Sequence, residues 1–217
     1  MGMRKRLQIV VFLTIFFISG FATAEDLKTI PLMKPHMDGG RLLIHVLKDR
    51  KSSREFNNRN LPIRVLSNLL WSACGVNRPD TGRRTAPSAM NWQEIDVYVA
   101  TDKGLYLYDP QKHVLNPIVA ADVRELTGSQ SFVKKAPVNL IYVADYGRMG
   151  NATNDSKDFY SALDTGFISQ NVYLYCASEG LATVARTGLN REVLAKAMKL
   201  RPDQIIILTQ TVGYPKK

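Results

Sequence analysis

Three short segments carry residue types that could hold a small ligand. The first is Asp49-Arg50-Lys51-Ser52-Ser53-Arg54-Glu55-Phe56. Between positions 41 and 64 there are seven Lys/Arg and two Asp/Glu. Arginine presents a planar fork of donors with a permanent charge, and serine adds a hydroxyl. Together they suit a phosphate. On this segment alone, a solvated basic surface explains the same residues. The second is Arg83-Arg84-Thr85-Ala86-Pro87-Ser88-Ala89-Met90-Asn91-Trp92-Gln93. A proline-fixed turn can set backbone groups and the Asn91 amide, both donor and acceptor, against the edge of a flat heterocycle. A plain loop would read the same way. The third runs from Gln170 through Gly180 to Leu181-Ala182-Thr183-Val184-Ala185-Arg186. Small residues after a helix let backbone N–H groups approach a ligand closely. A helix cap with no ligand is the alternative.

Other chemistry is poorly provided for. The three histidines, His36, His45 and His113, show no ligand pairing at helical spacing, so no metal site is expected. There is no G-x-S-x-G, no Walker loop and no G-x-G-x-x-G after a strand. Cys74 and Cys176 fall on apolar helix faces and read as small buried residues; a disulfide between them stays open. A chain without an acid–base set is a binding module, or an enzyme whose cofactor does the chemistry.

These segments need elements to position them. Apolar spacing predicts a short helix over 41–49 and a second from Pro62 to Gly75, with Ile63, Leu66, Leu69, Leu70 and Ala73 on one face. Residues 76–93 read as a long loop. Alternation at 95–100 and 105–108 around Thr101-Asp102-Lys103-Gly104 predicts a hairpin. A helix is expected over 119–127. The run Val138 to Ala144, apolar but for Asn139, predicts a central strand. A polar loop over 147–158 leads to a long helix over 159–179. Asn190 caps a helix over 191–199, and a last strand covers 205–212. With no repeat and no second domain, this order indicates α+β.

Composition sets the frame. The chain has 217 residues, 45% of them hydrophobic, and a net charge of +10. One core is normal at this size, and disorder is excluded. Two cysteines exclude a disulfide scaffold. Residues 1–24 read as a cleavable signal peptide: Arg4, Lys5 and Arg6, an apolar run from Leu7 to Phe21, then Ala22-Thr23-Ala24. Cleavage is expected after Ala24, giving a periplasmic or secreted protein. Residues 25–40 form an N-terminal arm, and 41–217 the functional domain. Export weighs against a cytoplasmic nucleic-acid role.

In their order and spacing the three segments resemble the nitroreductase-like flavoprotein family. The resemblance runs from about Leu42 to the C-terminus and includes Gly213-Tyr214-Pro215. It is nearest to the short branch with an Arg-Arg-Thr-x-Pro-Ser-x-x-Asn loop followed by a hairpin, which also contains azoline-oxidising enzymes.

The resemblance implies a mixed, mainly antiparallel sheet flanked by helices in an obligate homodimer, with FMN at the subunit interface. It assigns the FMN phosphate and ribityl chain to Arg50, Lys51, Ser52 and Arg54. The flavin ring falls to Pro87, Ser88, Ala89 and Asn91. Backbone donors near flavin N5 fall to Leu181, Ala182, Thr183, Val184 and Ala185, where Ala182 stands in place of a frequent glycine. Lys216 is the candidate for a further phosphate contact. No side chain is assigned a catalytic role, because flavin N5 would carry the chemistry. The implied activity is ping-pong transfer from NAD(P)H to an electron-poor acceptor, nitroaromatic or quinone-like. An exported compartment is poor in NAD(P)H, so the alternative is a non-catalytic flavin- or nucleotide-binding protein. Charge alone would suggest a polyanion binder.

Overall fold

In the computed structural model residues 27–216 are described; the expected signal peptide lies outside them. Among the described residues nine strands and four α-helices follow in order: β1 (Ile30–Pro31), α1 (Leu43–Asp49), α2 (Ile63–Cys74), β2 (Val76–Arg78), β3 (Arg83–Arg84), β4 (Ile95–Thr101), β5 (Gly104–Asp109), β6 (Val114–Val119), β7 (Val138–Asp145), α3 (Asn154–Glu179), β8 (Ala182–Arg186), α4 (Arg191–Met198) and β9 (Gln204–Gly213). Seven strands make one sheet in the order β1-β6-β5-β4-β7-β9-β8, and every pairing in it is antiparallel. The α+β expectation holds.

Strand alternation divides the core. Ile95, Val97 and Val99 of β4 and Leu140 and Tyr142 of β7 face one side. There they pack on Leu69, Leu70 and Ala73 of α2 and Val172 and Cys176 of α3. Tyr98, Ala100, Ile141 and Val143 face the other side and meet Leu194 and Met198 of α4. With both faces covered, all eight residues of β7 are buried, so its apolar run has no polar alternation.

Local signals set the element ends. Pro62 caps α2, and the Gly75 N–H closes it on the Trp71 carbonyl at 2.8 Å. A Cβ on Gly75 would come 2.4 Å from Trp71 Cδ1, so the close approach requires glycine. The Asn190 side chain accepts from Val193 N and starts α4.

Four expectations need correction. Residues 119–127 are not an α-helix: β6 ends at Val119, and a 3-10 turn covers Arg124–Thr127. Its turn is held by Asp122 Oδ1, which accepts from Arg124 N at 3.0 Å. The long helix starts at Asn154, five residues early, because the Thr153 hydroxyl accepts from Ser156 N. Residues 76–93 are not all loop, since β2 and β3 pair antiparallel. Residues 182–186, expected as a loop, form strand β8 on the edge of the main sheet.

Candidate functional site

The Arg50–Arg54 stretch is laid against the outer edge of β8. Ser53 N donates to the Thr183 carbonyl at 2.9 Å. Tyr173 of α3 stands between the two chains. Its hydroxyl accepts from Ala185 N at 2.9 Å and shares a 2.9 Å hydrogen bond with Ser52 Oγ. The Arg50 guanidinium lies 5.3 Å from the Tyr173 ring centroid, within cation–π range. The chain end returns alongside: Phe56 bridges Pro215, Asn57 N donates to Tyr214 O, and Lys216 N donates to Glu55 O at 3.3 Å. The N-terminus of α1 is tied to the end of α3 through Arg41 N donating to Ser178 Oγ at 3.1 Å. An exposed ion pair with Arg41 holds the Asp49 carboxyl below its ordinary range.

These contacts leave a cleft of about 470 Å³, with Arg41, Lys51, Ser53 and Lys216 on its walls beside the acids Asp49 and Glu55, and Gly180 to Thr183 along one side; Arg50 and Ser52 do not line it. Lys216 also borders an adjoining, more open cleft of about 850 Å³, where Arg54, Arg124 and Phe132 line the wall. Phe132 in turn stacks on Phe56 at 5.4 Å. Cations and hydroxyls at the mouth of a solvated cleft are the donor set that a phosphate monoester needs. At the end of β8, Arg186 is a buried cation held by Thr127 O at 2.7 Å, Asn139 Oδ1 at 2.9 Å and Thr211 Oγ1 at 2.6 Å. Burial lowers its pKa to about 10, so it stays charged at neutral pH. A Cβ on Gly128 would sit 1.9 Å from its Nη1, so that glycine makes room for the guanidinium.

The edge contacts bear on the proposed backbone donors. Leu181 N already closes α3 on Cys176 O at 2.8 Å, and Ala185 N is bound to Tyr173. Ala182 is an ordinary strand residue paired with Gly213, so its methyl group causes no strain. Of the 181–185 stretch, Leu181, Ala182 and Thr183 line the cleft.

The 83–93 segment sits elsewhere. Thr85 Oγ1 donates toward the Trp71 and Ser72 carbonyls at 3.2 and 3.1 Å, which moors it to the end of α2. Met90, Asn91 and Gln93 adopt left-handed backbone, with φ of 51°, 57° and 49°. Met90 is 82% exposed. Asn91 Oδ1 accepts from Gln93 Nε2 at 3.1 Å. Pro87, Ser88 and Asn91 line a cleft of about 400 Å³ together with Arg78, Arg83 and Arg84. Ala89 binds inward instead, its N–H donating to Asp164 Oδ2 at 2.8 Å. The clefts beside Lys51 and Asn91 share no lining residue among the described ones. One chain therefore presents the two halves of the expected site at separate places.

Under the loop lies Glu94, fully buried, with Ser88 Oγ donating to its Oε2 at 3.2 Å. Burial and the neighbouring Asp164 push its pKa up to about 7. Glu94, Asp164 and the linking role of Tyr173 were missed in sequence. The only available signal was an acid directly ahead of the alternating β4 residues.

Remaining candidates are structural. His113 bonds Tyr108 Oη at 2.9 Å and Met33 O at 3.0 Å. Among the described residues no group of three or more His, Cys, Asp or Glu could hold a metal. Cys74 and Cys176 are both free and buried, so no disulfide joins them. Burial pushes the Cys74 thiol up to about 11 and Cys176 higher still, which leaves neither as a nucleophile.

Comparison with known proteins places this geometry. The Nitroreductase family model matches residues 47–214. A protein of Methanocaldococcus jannaschii assigned as a nitroreductase is 30% identical over 173 residues, covering 75% of this chain and 87% of that one. The FMN reductase [NAD(P)H] of Bacillus subtilis is 26% identical over 175 residues, covering 79% of this chain and 61% of its own length. A crystal structure from Ralstonia eutropha, also assigned as a nitroreductase, superposes with a TM-score of 0.84 at 46% identity, covering 87% of this chain and 90% of that one. The match spans the Arg50–Arg54 stretch, the 83–93 loop and every strand of the main sheet except β1, and the chain belongs to the nitroreductase family of oxidoreductases.

Proposed function

We propose that this chain is an exported, FMN-dependent oxidoreductase that works as a homodimer. The observation that carries the FMN reading is the cationic cleft built by the Arg50–Arg54 stretch, β8 and Lys216. Its donors fit a phosphate on a solvated edge, and its small-residue floor at Gly180 to Thr183 leaves room for a chain of hydroxyls. When bound, FMN supplies two-electron chemistry between a nicotinamide donor and an electron-poor acceptor such as a nitroaromatic or a quinone.

The residues have separate tasks in this reading. Lys51 and Lys216 in this cleft and Arg54 in the adjoining one neutralise the phosphate, Arg50, packed on Tyr173, adds positive charge beside it, and Ser52 and Ser53 orient the approach. Pro87, Ser88 and Asn91 present polar edges and a fixed turn to the ring. Arg83 and Arg84 beside that loop favour negative charge on the ring. No side chain needs to act as nucleophile, in keeping with two buried, protonated thiols. Donor and acceptor use the same open face in turn, which is the ping-pong order.

The separation of the two clefts supports the homodimer. A second copy brings its 83–93 loop to the first copy's cationic cleft. Large apolar side chains on the surface support this: Leu42, Leu43 and Ile44 at α1, and Phe159, Leu163 and Phe167 along α3. Such contiguous apolar faces mark an interface. Export is supported by the basic, apolar and Ala-Thr-Ala pattern of residues 1–24. Sequencing the N-terminus of protein from its native compartment should give Glu25.

Turnover separates this reading from a flavin carrier. Purified protein with FMN should bleach with NADH or NADPH and recolour with a quinone. Bound FMN that no nicotinamide or quinone turns over would favour the non-catalytic carrier. Binding to heparin with steep salt dependence and no flavin uptake would favour a polyanion binder.

A further inference from the structure

Two carboxyl groups are buried beneath the 87–93 loop. Glu94 is 0% exposed and Asp164 is 2% exposed. They grip consecutive residues: Ser88 Oγ donates to Glu94 Oε2 at 3.2 Å, and Ala89 N donates to Asp164 Oδ2 at 2.8 Å. Gln93 N then donates to Ser88 Oγ at 2.8 Å, closing the loop on itself. Glu94 Oε1 is buried and has no hydrogen-bond partner among the described residues. An unpartnered carboxylate oxygen beside a second carboxylate, away from water, is the setting in which one proton is retained between two acids.

The surroundings supply little to offset two negative charges. Facing the pair are the Cys74 thiol from α2, Arg84 from β3 and the Ser88 hydroxyl. Arg84 Nη1 points to the Ile95 carbonyl at 3.4 Å, and its Nε is buried without a partner. On the β7 side, Asp145 N and Arg148 Nη1 bind the backbone carbonyls of Glu94 and Gln93, not the carboxyls. Arg148 is paired with Asp96 and Asp145.

We propose that Glu94 keeps its proton beside the Asp164 carboxyl and that the two act as positioning residues: while Glu94 is protonated, they latch the 87–93 loop onto α3 in the conformation that receives the flavin ring. Loss of the proton to solvent leaves two like charges in a dry site, and the loop is released. The loop has a reason to spring. Three of its residues, Met90, Asn91 and Gln93, are non-glycines in left-handed backbone, a state that persists only where surrounding contacts over-determine it. The functional consequence rests on the reading of this loop as the ring contact.

Trp92 sits in the loop against Tyr160, with ring centroids 5.7 Å apart, so its emission reports the latch without FMN. The chain has two tryptophans, and Trp71→Phe isolates this one. Titrating the FMN-free protein across neutral pH should show a transition near about pH 7. Glu94→Gln, which cannot ionise, should abolish it. Asp164→Asn removes the repelling charge and should lower its midpoint. Hydrogen exchange of the 87–93 segment in the unmodified chain gives the same readout if Trp71→Phe fails to fold. FMN affinity should fall by up to about tenfold per pH unit above the transition, and stay level in Glu94→Gln. No transition in the parent protein, or one that survives in Glu94→Gln, overturns the latch. FMN uptake that is independent of pH and without a loop transition also overturns it, while leaving the FMN reading intact. A transition with no FMN uptake at any pH keeps the latch and overturns that reading.

Discussion

The 50–54 segment and the 83–93 loop both place arginines ahead of serines, yet the fold holds them in opposite ways. The first is fixed by backbone bonds to strand β8 and by the Tyr173 hydroxyl, with its cations left in solvent. The second is strained in its backbone and held from beneath by two buried acids. Exposed cations ahead of a rigid edge form a preformed electrostatic site. A strained loop over buried acids is a part whose position depends on a proton. In the proposed FMN site, the difference gives affinity to the cationic half and geometry to the loop.

That division can be broken at several places. The largest effect is expected from Arg50→Ala with Arg54→Ala. A charged hydrogen bond is worth about 1.5–3 kcal/mol, so loss of the Arg54 contact together with the Arg50 charge beside it should lower FMN affinity by about one to two orders of magnitude in a titration of apoprotein. The Trp92 signal should not change.

The next test bears on the acid side. Glu94 has a folded-state pKa near 7, above its ordinary 4.5, so the folded chain binds its proton more tightly than the unfolded chain. The stability this contributes is fully present below about pH 4.5 and is lost as pH rises through about 7. Thermal melts of the FMN-free protein should show this decline, and Glu94→Gln should flatten it. Arg50→Ala should leave the decline in place.

Tyr173→Phe should act on the cationic side alone. It leaves Ala185 N–H without an acceptor and frees Ser52, at a cost of about 1–3 kcal/mol in chemical denaturation. Ser52→Ala should be the mildest, about 0.5–1.5 kcal/mol, since Tyr173 keeps its bond to Ala185. If either variant moved the pH dependence of the 87–93 loop, the two regions would not be separate.

What could be read in advance follows the range of each interaction. The β4–β5 hairpin, the β7 run, the Pro62 and Gly75 ends of α2 and the Asn190 cap all announce themselves within a few residues. Strand β6 was hidden because Asn116 and Pro117 interrupt its apolar residues, and its pairing with β5 supplies what propensity lacks. Strand β8 was hidden because Ala182 to Arg186 is made of small residues that suit a loop equally well, and β9 decides the matter. In the site, the cations and the Pro-Ser-x-x-Asn turn were legible as local clusters. Tyr173, Glu94 and Asp164 were not, because their roles arise from contacts across the fold: Ser52 with Tyr173 and Ala89 with Asp164. The separation of the two clefts in one chain was equally invisible, since spacing along a sequence says nothing of direction in space.

The central claim is that the cleft at Lys51, Ser53 and Lys216, with Arg54 in the adjoining one, holds FMN. The most direct measurement is the visible spectrum of protein purified from its native compartment, with released flavin quantified against chain. The expected result is yellow protein absorbing near about 450 nm, with one FMN per chain and its loss in Arg50→Ala with Arg54→Ala. Colourless protein that takes up no added FMN at any pH would contradict the account.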